Sequence, residues 1–216
     1  MMRGFVFDLD GVLADTAKYH YMAWRQLSAE LGITIDEQFN EQLKGISREE
    51  SLERILIHGS KSEIFSDAEK AELAEKKNRH YVELLAELTP EEVLPGVGSF
   101  LMNAHRHEIP CAVASASKNA PFILTKLAIN DYFVGVVDPA TLTKGKPDPE
   151  IFIKAAQLMA LQPAEVIGFE DAQAGIDGIK GCGMYAIGIG DTQQLKGADR
   201  WAADLSELSV EELIQL

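Results

Sequence analysis

The chain has 216 residues, 46% apolar and 25% charged, which is typical of a soluble globular protein with one large domain or one domain carrying an insertion. Its formal charge is −14, and the sequence contains no Lys/Arg-rich run, which together exclude a basic nucleic-acid surface. No apolar stretch approaches the roughly 18–20 residues that span a bilayer, and no secretory signal pattern or cysteine metal motif is present, so we predict a cytoplasmic location with Cys111 and Cys182 reduced.

The first predicted element is a short apolar strand at residues 3–7, and a long helical block follows it. No proline occurs before residue 90, so nothing interrupts helices in this block. Asp15 or Thr16 can cap its first helix, and Gly32 can end that helix. The predicted helices of the block are 15–31, 36–43, 47–58 and 66–88.

Short apolar strands then alternate with helices through the second half of the chain. The predicted strands are 111–115, 165–169 and 184–189, and the predicted helices are 96–107, 119–129, 149–161 and 172–182. Uninterrupted apolar runs are expected for parallel strands that are covered on both faces. We therefore predict an α/β fold: a doubly wound parallel sheet forming a Rossmann-like core, with an inserted helical cap domain. The predicted core is 1–14 and 95–216, and the predicted cap is 15–94.

Two pairs of acidic residues follow two of the predicted strands. Asp8 and Asp10 come directly after the first strand, and Glu170 and Asp171 come after the strand at 165–169. In an open α/β sheet, ligands bind at the carboxyl ends of the strands. Mg²⁺ takes a few oxygen ligands in proteins and keeps positions for water and phosphate. Each pair alone is also explained by a solvated loop, but together they predict a magnesium site.

Two further positions point to phosphate binding. Ser115 ends a predicted strand, where its hydroxyl and the following backbone N–H groups can either cap a helix or hold phosphate oxygens. Lys146 lies in a loop stiffened by Pro147 and Pro149, which fixes it just before a helix. The bond between Lys146 and Pro147 is a candidate for the cis isomer.

The order and spacing of these residues resemble the haloacid-dehalogenase-like phosphotransferases over essentially the whole chain. The resemblance rests on the segment Asp8-Leu9-Asp10-Gly11-Val12, on Ser115, on Lys146 and on Glu170-Asp171. Within that superfamily the chain is similar to the β-phosphoglucomutase family, because of 15–17 with His20 and Trp24, 39–48, 115–119 and 170–175. One departure is Ala172, where that family more often carries Ser.

The resemblance implies a set of catalytic roles. Asp8 becomes an aspartyl phosphate, Asp10 is the general acid and base, and one Mg²⁺ is held by Asp8, the Asp10 backbone carbonyl, Glu170 and Asp171. Ser115 and Lys146 neutralise charge on the transferred phosphoryl group. Thr16, His20 and Trp24 lie at helical spacing on one face of the first cap helix. His20 is expected to position Asp10, whereas Trp24 fits either a substrate contact or ordinary packing.

The resemblance also implies a clamp for the phosphate that is not transferred. Arg48 in the cap and Lys118 in the core suit this role, because a guanidinium binds phosphate through two parallel bonds. Further candidates for substrate binding are Lys44, Gly45, Ser47, Ser51, Lys77, Ala116, Ser117 and Asn119. Lys77 and its neighbour Asn78 are weaker candidates, since a solvated helix face explains their positions better than substrate binding does.

The implied reaction interconverts β-glucose 1-phosphate and glucose 6-phosphate, with β-glucose 1,6-bisphosphate as activating intermediate. One alternative is a magnesium-dependent sugar-phosphate phosphatase, which needs the same core residues but not a second phosphate site in the cap. Another is a non-catalytic protein that binds phosphorylated metabolites. The expected partner is a small-molecule sugar phosphate, without nucleic acid or membrane, and the expected oligomeric state is a monomer.

Overall fold

A computed structural model describes residues 1–190 and 195–216, and that part of the chain contains one six-stranded parallel sheet. The strands are β1 (Gly4–Phe7), β2 (Cys111–Val113), β3 (Gly135–Val136), β4 (Val166–Glu170), β5 (Tyr185–Ile189) and β6 (Arg200–Ala202). Their spatial order is β3-β2-β1-β4-β5-β6, and every neighbouring pair is parallel. The predicted doubly wound α/β sheet is confirmed, and the strand order reverses between β1 and β4.

Helices surround the sheet and form the predicted insertion. The insertion contains α1 (Ala17–Glu30), α2 (Glu37–Asn40), α3 (Arg48–His58) and α4 (Asp67–Leu84). The remaining helices are α5 (Val97–Arg106), α6 (Ala120–Lys126), α7 (Glu150–Leu158), α8 (Gln173–Gly181) and α9 (Val210–Leu213). None of the helices within residues 1–190 and 195–216 combines the length and the apolar character needed to cross a membrane.

The sheet is apolar on both faces, which explains why its strands lack alternation in the sequence. Phe5 and Phe7 of β1 belong to one hydrophobic cluster, and Val6 between them belongs to the cluster on the other face. Phe7 pairs in register with Phe169 of β4, and their rings stack with centroids 4.6 Å apart. Helices cover both faces, so β1 is fully buried and its carboxyl end is held rigidly.

The insertion has a hydrophobic cluster of its own, built on Trp24, Leu27, Leu52 and Ile55. Its two connections to the sheet run side by side. The Asp15 N–H donates to the Glu92 carbonyl, and the Leu94 N–H donates to the Leu13 carbonyl, each at 3.1 Å. This paired stretch lies at the predicted boundaries between core and cap, after residue 14 and before residue 95. The exact division of the chain into 1–14 with 95–216 and 15–94 stays a prediction.

Several local expectations differ from the structure. The predicted helix at 36–43 is only Glu37–Asn40, followed by a single 3₁₀ turn. Thr16 occupies the N-cap position of α1, but its hydroxyl makes no capping bond and instead donates to Asp10. Gly32 follows the end of α1 with φ +68°, as its predicted role requires. The strands β3 and β6 and the helix α9 were not predicted.

Candidate active site

The carboxyl ends of β1 and β4 bring the two acidic pairs together. β1 ends at Phe7, so Asp8 is the first residue beyond it, whereas Glu170 is the last residue of β4. The two strands are adjacent, with Phe7 opposite Phe169. Carboxylate oxygens of Asp8, Glu170 and Asp171 all lie within 4.8 Å of one another. The Asp10 carboxylate is not part of this group of three.

A buried lysine bridges two of these carboxylates. Lys146 Nζ donates to Asp8 Oδ1 at 2.7 Å and to Glu170 Oε2 at 2.8 Å. Its burial disfavours the charged form, but the carboxylates of Asp8 and Glu170 outweigh that effect and raise its pKa. The bond from Lys146 to Pro147 is cis. The loop that contains Pro147 and Pro149 places the cation of Lys146 among the acidic residues, and its role in phosphate binding stays a prediction.

One lysine does not balance the negative charge of this cluster. Burial, followed by the charges of Glu170 and Asp8, raises the pKa of Asp171 well above its usual range. Burial also raises the pKa of Glu170 to about 7, although Lys146 lowers it. Crowded, buried oxygen ligands beside a site open to solvent are the donor set that a hard divalent cation requires. The residues present therefore fit Mg²⁺.

Glycines leave the space that these carboxylates occupy. A Cβ at Gly11, which has φ +84°, would lie 2.2 Å from Asp171 Oδ2. A Cβ at Gly175, in the first turn of α8, would lie 1.9 Å from Glu170 Oε2. Both contacts are far below van der Waals distance, so the backbone itself forms part of the cradle around Glu170 and Asp171.

Asp10 has a separate set of neighbours from the hinge helix. Thr16 Oγ1 donates to Asp10 Oδ1 at 2.5 Å, and His20 Nε2 lies 3.6 Å from Asp10 Oδ2. Removal from water, followed by the charge of Asp8, raises the pKa of Asp10 to about 6. A carboxyl group with this pKa can both donate and accept a proton near neutral pH. The helix face predicted from the spacing of Thr16 and His20 does meet Asp10.

Lys77 corrects the expectation of a solvated helix face. Its side chain is 3% exposed, and its Nζ lies 2.8 Å from His20 Nδ1. The ammonium also lies 4.7 Å from the centroid of the Trp24 ring and 4.6 Å from that of Tyr81. Burial, followed by the charge of Arg48, lowers the pKa of Lys77 to about 7. Lys77 therefore belongs to the site, where it contacts the ring nitrogen of His20 that lies away from Asp10.

A cavity of about 330 Å³ lies between the insertion and the sheet. Asp8, Asp10 and Asp171 line its sheet side. The predicted substrate residues that line it are Trp24, Lys44, Gly45, Ser47, Arg48, Ser51, Lys77, Ala116, Ser117, Lys118 and Asn119, together with His20. Across this cavity Asn119 Nδ2 donates to Asn78 Oδ1 at 3.0 Å. Asn78 thus also faces the cavity rather than solvent.

Four of the predicted residues lie beneath the cavity wall instead of on it. Thr16 donates to Asp10 and Lys146 donates to Asp8, both of which line the cavity, and Glu170 is linked to Asp8 through Lys146. Ser115 is 1% exposed, and its hydroxyl accepts the Ser117 N–H at 3.1 Å. The hydroxyl of Ser115 therefore shapes the turn that carries Ser117 and Lys118 in this structure.

Other residues of the cavity were missed by sequence reasoning. Asn40, Glu49, Pro139, Ala140 and Leu142 all line it. The segment 139–142 follows β3, and β3 itself was not predicted. Recognising the apolar run 133–137 as a strand would have placed the segment after it at the same edge of the sheet.

The fold and the site define a metal-assisted phosphoryl-transfer protein, and comparison with known proteins agrees. Residues 2–183 match the model of the haloacid dehalogenase-like hydrolase family. A β-phosphoglucomutase of Bacillus subtilis is 49% identical over 97% of this chain and 93% of its own length. The chain belongs to the haloacid dehalogenase-like hydrolases and, within them, to the family of the β-phosphoglucomutases.

Solved structures and more distant relatives extend this comparison. The crystal structure of a β-phosphoglucomutase from Clostridium difficile superposes with a TM-score of 0.96 at 45% identity, covering 100% of this chain and 96% of the other. A fructose-1-phosphate phosphatase of Escherichia coli is 30% identical over 86% of this chain and 95% of its own length. Phosphatases therefore occur among the relatives at lower identity.

Proposed function

We propose that this protein is a magnesium-dependent β-phosphoglucomutase that interconverts β-glucose 1-phosphate and glucose 6-phosphate. The observation that carries the proposal is a single cavity with Asp8 and Asp10 on one side and the cations Arg48 and Lys118 among its other lining residues. Such a cavity suits a sugar with phosphates at both ends, because the two ends meet different chemical groups. The 49% identical relative that bears this name supports the proposal.

One Mg²⁺ would be held by the side chains of Asp8, Glu170 and Asp171 together with the backbone carbonyl of Asp10. When bound, the ion neutralises negative charge on the phosphoryl group during transfer. Lys146 adds a second positive charge beside Asp8. Because Lys146 also contacts Glu170, it joins the nucleophile to one of the proposed metal ligands.

Asp8 and Asp10 divide the chemistry between them. In one half-reaction, phosphorylated Asp8 transfers its phosphoryl group to the 6-hydroxyl of β-glucose 1-phosphate while Asp10 removes the hydroxyl proton. The product is β-glucose 1,6-bisphosphate, which turns around in the cavity. In the other half-reaction, an Asp8 oxygen attacks the phosphorus at C1, the bond from phosphorus to O1 breaks, and Asp10 returns the proton to O1. Glucose 6-phosphate leaves, and Asp8 is again phosphorylated.

Arg48, Lys118 and Asn119 would hold the phosphate that is not transferred. Arg48 comes from the insertion and the other two residues come from the sheet side, so a bisphosphate joins both parts of the protein. Closure would exclude water, so that a sugar hydroxyl rather than water receives the phosphoryl group. Such closure requires two parts that move relative to each other, a core of 1–14 and 95–216 and a cap of 15–94. Both parts belong to the same chain, so a monomer is sufficient.

Product identification tests the proposal. With Mg²⁺ and a trace of β-glucose 1,6-bisphosphate, β-glucose 1-phosphate should be converted into glucose 6-phosphate, with little free phosphate. Asp8→Asn should abolish both turnover and acid-stable labelling of the protein from a phosphoryl donor. Release of phosphate without any isomer would replace the mutase with a sugar-phosphate phosphatase. Neither product, and no phosphorylated protein, would indicate a protein that only binds its ligand.

A further inference from the structure

The two cations of the phosphate clamp are already paired with carboxylates of the insertion. Arg48 Nη1 lies 3.2 Å from Glu75 Oε2, and Lys118 Nζ lies 3.8 Å from Glu49 Oε1. Arg48 and Glu49 are the first residues of α3, and Glu75 is on α4. Each clamp cation therefore has an anionic partner before a phosphate reaches it.

In both ion pairs, a phosphate can readily replace the glutamate carboxylate as the partner of the cation. The Glu75 side chain is 54% exposed and the Glu49 side chain 64% exposed, so water competes for both carboxylates. Exposed pairs of this kind are weak and screened by salt. A phosphate dianion carries more charge and can accept two parallel bonds from a guanidinium, so it displaces a single carboxylate contact. The exchange requires only that the two glutamate side chains rotate, without any change in their helices.

We propose that Glu75 and Glu49 compete with the non-transferred phosphate for Arg48 and Lys118, and thereby set how tightly sugar phosphates bind and how quickly they leave. This inference rests on the proposed function, since it requires that Arg48 and Lys118 hold a phosphate. The competition favours turnover, because a product held by two unpaired cations would dissociate slowly. It also limits binding of small anions that lack the contacts made by the sugar.

Binding measurements on a protein that cannot turn over test the competition directly. In an Asp8→Asn background with Mg²⁺, the dissociation constant for β-glucose 1,6-bisphosphate is measured by calorimetry. Glu75→Gln should lower it about two- to five-fold, since that is the range in which exposed ion pairs act. Glu49→Gln should lower it by less, because its ion pair is longer and more exposed.

Glu83→Gln is the matched control. Glu83 is an exposed glutamate on the same helix, two turns beyond Glu75, with no ion-pair partner among residues 1–190 and 195–216. The Glu83→Gln substitution removes the same charge from the protein, so it measures the effect of net charge alone on the dissociation constant. A second control adds Arg48→Ala, after which Glu75→Gln should no longer tighten binding.

The outcomes separate this inference from the proposed function. Binding by the Asp8→Asn parent, with equal changes for Glu75→Gln and Glu83→Gln, overturns the competition and leaves the function standing. Tightening by Glu75→Gln that persists without Arg48 also overturns it. If the parent does not bind the bisphosphate at all, the proposed function and this inference fail together.

Discussion

The contact between Lys77 and His20 decides which ring nitrogen of the histidine carries its hydrogen. The ammonium form of Lys77 can only donate, so beside it His20 Nδ1, 2.8 Å away, is the acceptor. Removal from water, followed by the charges of Lys77 and Arg48, lowers the pKa of His20 well below its usual range. A neutral imidazole that accepts at Nδ1 carries its hydrogen at Nε2, the atom that faces Asp10.

Replacing Lys77 with Met should therefore impair catalysis more than binding. The imidazole would be free to take the other tautomer, and Asp10 would lose an oriented N–H near its Oδ2. We expect kcat to fall about ten-fold or more, within the range of misplaced acid–base groups, and the pH–rate profile to shift. Lys76→Met is the matched control, because Lys76 is the exposed neighbour of Lys77 and pairs with Glu30 on α1. Equal rates for the two variants would return Lys77 to a packing role.

The buried lysine also predicts a pH dependence of stability. The pKa of Lys77 is about 7 in the folded protein, below its value of roughly 10.4 in an unfolded chain. Between these values the unfolded state binds the extra proton, so the free energy of unfolding of the wild type rises with pH. Relative to Lys77→Met, the wild type should gain about 2 kcal/mol between pH 7 and pH 9, measured by urea denaturation. A difference that stays constant over this range would show that Lys77 keeps an ordinary pKa.

At the scale of elements, the sequence predicted best the residues that lie at the carboxyl ends of strands. β1 and β4 are apolar runs directly followed by acidic residues, and the rule that ligands bind at these ends placed Asp8, Glu170 and Asp171 together. β3 has two residues and β6 has three, so their strand character depends on β2 and β5 beside them. The apolar run 133–137 was the local signal for β3, whereas β6 begins with Arg200 and carries an exposed Trp201, so it lacks the buried apolar run of the central strands.

Lys77 was misjudged because α4 is highly charged along its whole length. The sequence of α4 contains nine charged residues in 18, and most of them are exposed. Tertiary packing buries only one narrow face of α4. The buried residues on this face are Ala74, Lys77 and Tyr81, which lie three and four residues apart. That spacing was visible in the sequence, and it was the signal that could have identified Lys77.

The first turn of α8 should be intolerant of any side chain at Gly175. A Cβ there would lie 1.9 Å from Glu170 Oε2, so Gly175→Ala must displace a predicted metal ligand. We expect the Mg²⁺ concentration for half-maximal activity to rise about 10- to 100-fold, as when the surroundings of metal ligands are disturbed. Thermal unfolding in EDTA measures the effect on the fold separately.

Gly181→Ala provides the comparison at the other end of the same helix. A Cβ at Gly181 would meet the Pro149 ring at 3.6 Å, an ordinary contact. Alanine is also favoured over glycine in a helix by about 0.5–1 kcal/mol, so this variant should be neutral or slightly stabilised. An unchanged magnesium requirement in Gly175→Ala would mean that Glu170 can move without affecting the metal.

At the scale of the whole molecule, the insertion touches the sheet side directly above the acidic residues. Lys44 Nζ lies 3.8 Å from Asp171 Oδ2, and Asn78 bonds to Asn119 across the cavity. Between these contacts the backbone of Gly45 approaches the core closely: a Cβ there would lie 3.2 Å from the Ala172 Cβ and 3.9 Å from Lys146. Ala172 therefore places a methyl group at this junction.

Gly45→Ala should therefore weaken the closed arrangement itself. Gly45 has φ +73°, a strain that a non-glycine residue carries whether or not the two parts touch. The new methyl group presses on Ala172 at 3.2 Å only when the two parts are in contact, and overpacking of this kind costs about 1–2 kcal/mol. We expect the mutase rate to fall roughly five- to thirty-fold, the equivalent of that energy. The ratio of free phosphate to glucose 6-phosphate should rise, because an incompletely closed cavity admits water to phosphorylated Asp8. Gly98→Ala, where a Cβ meets nothing within 4 Å, should leave both quantities unchanged. A lower mutase rate with an unchanged product ratio would show that Gly45 acts on the sugar and not on the exclusion of water.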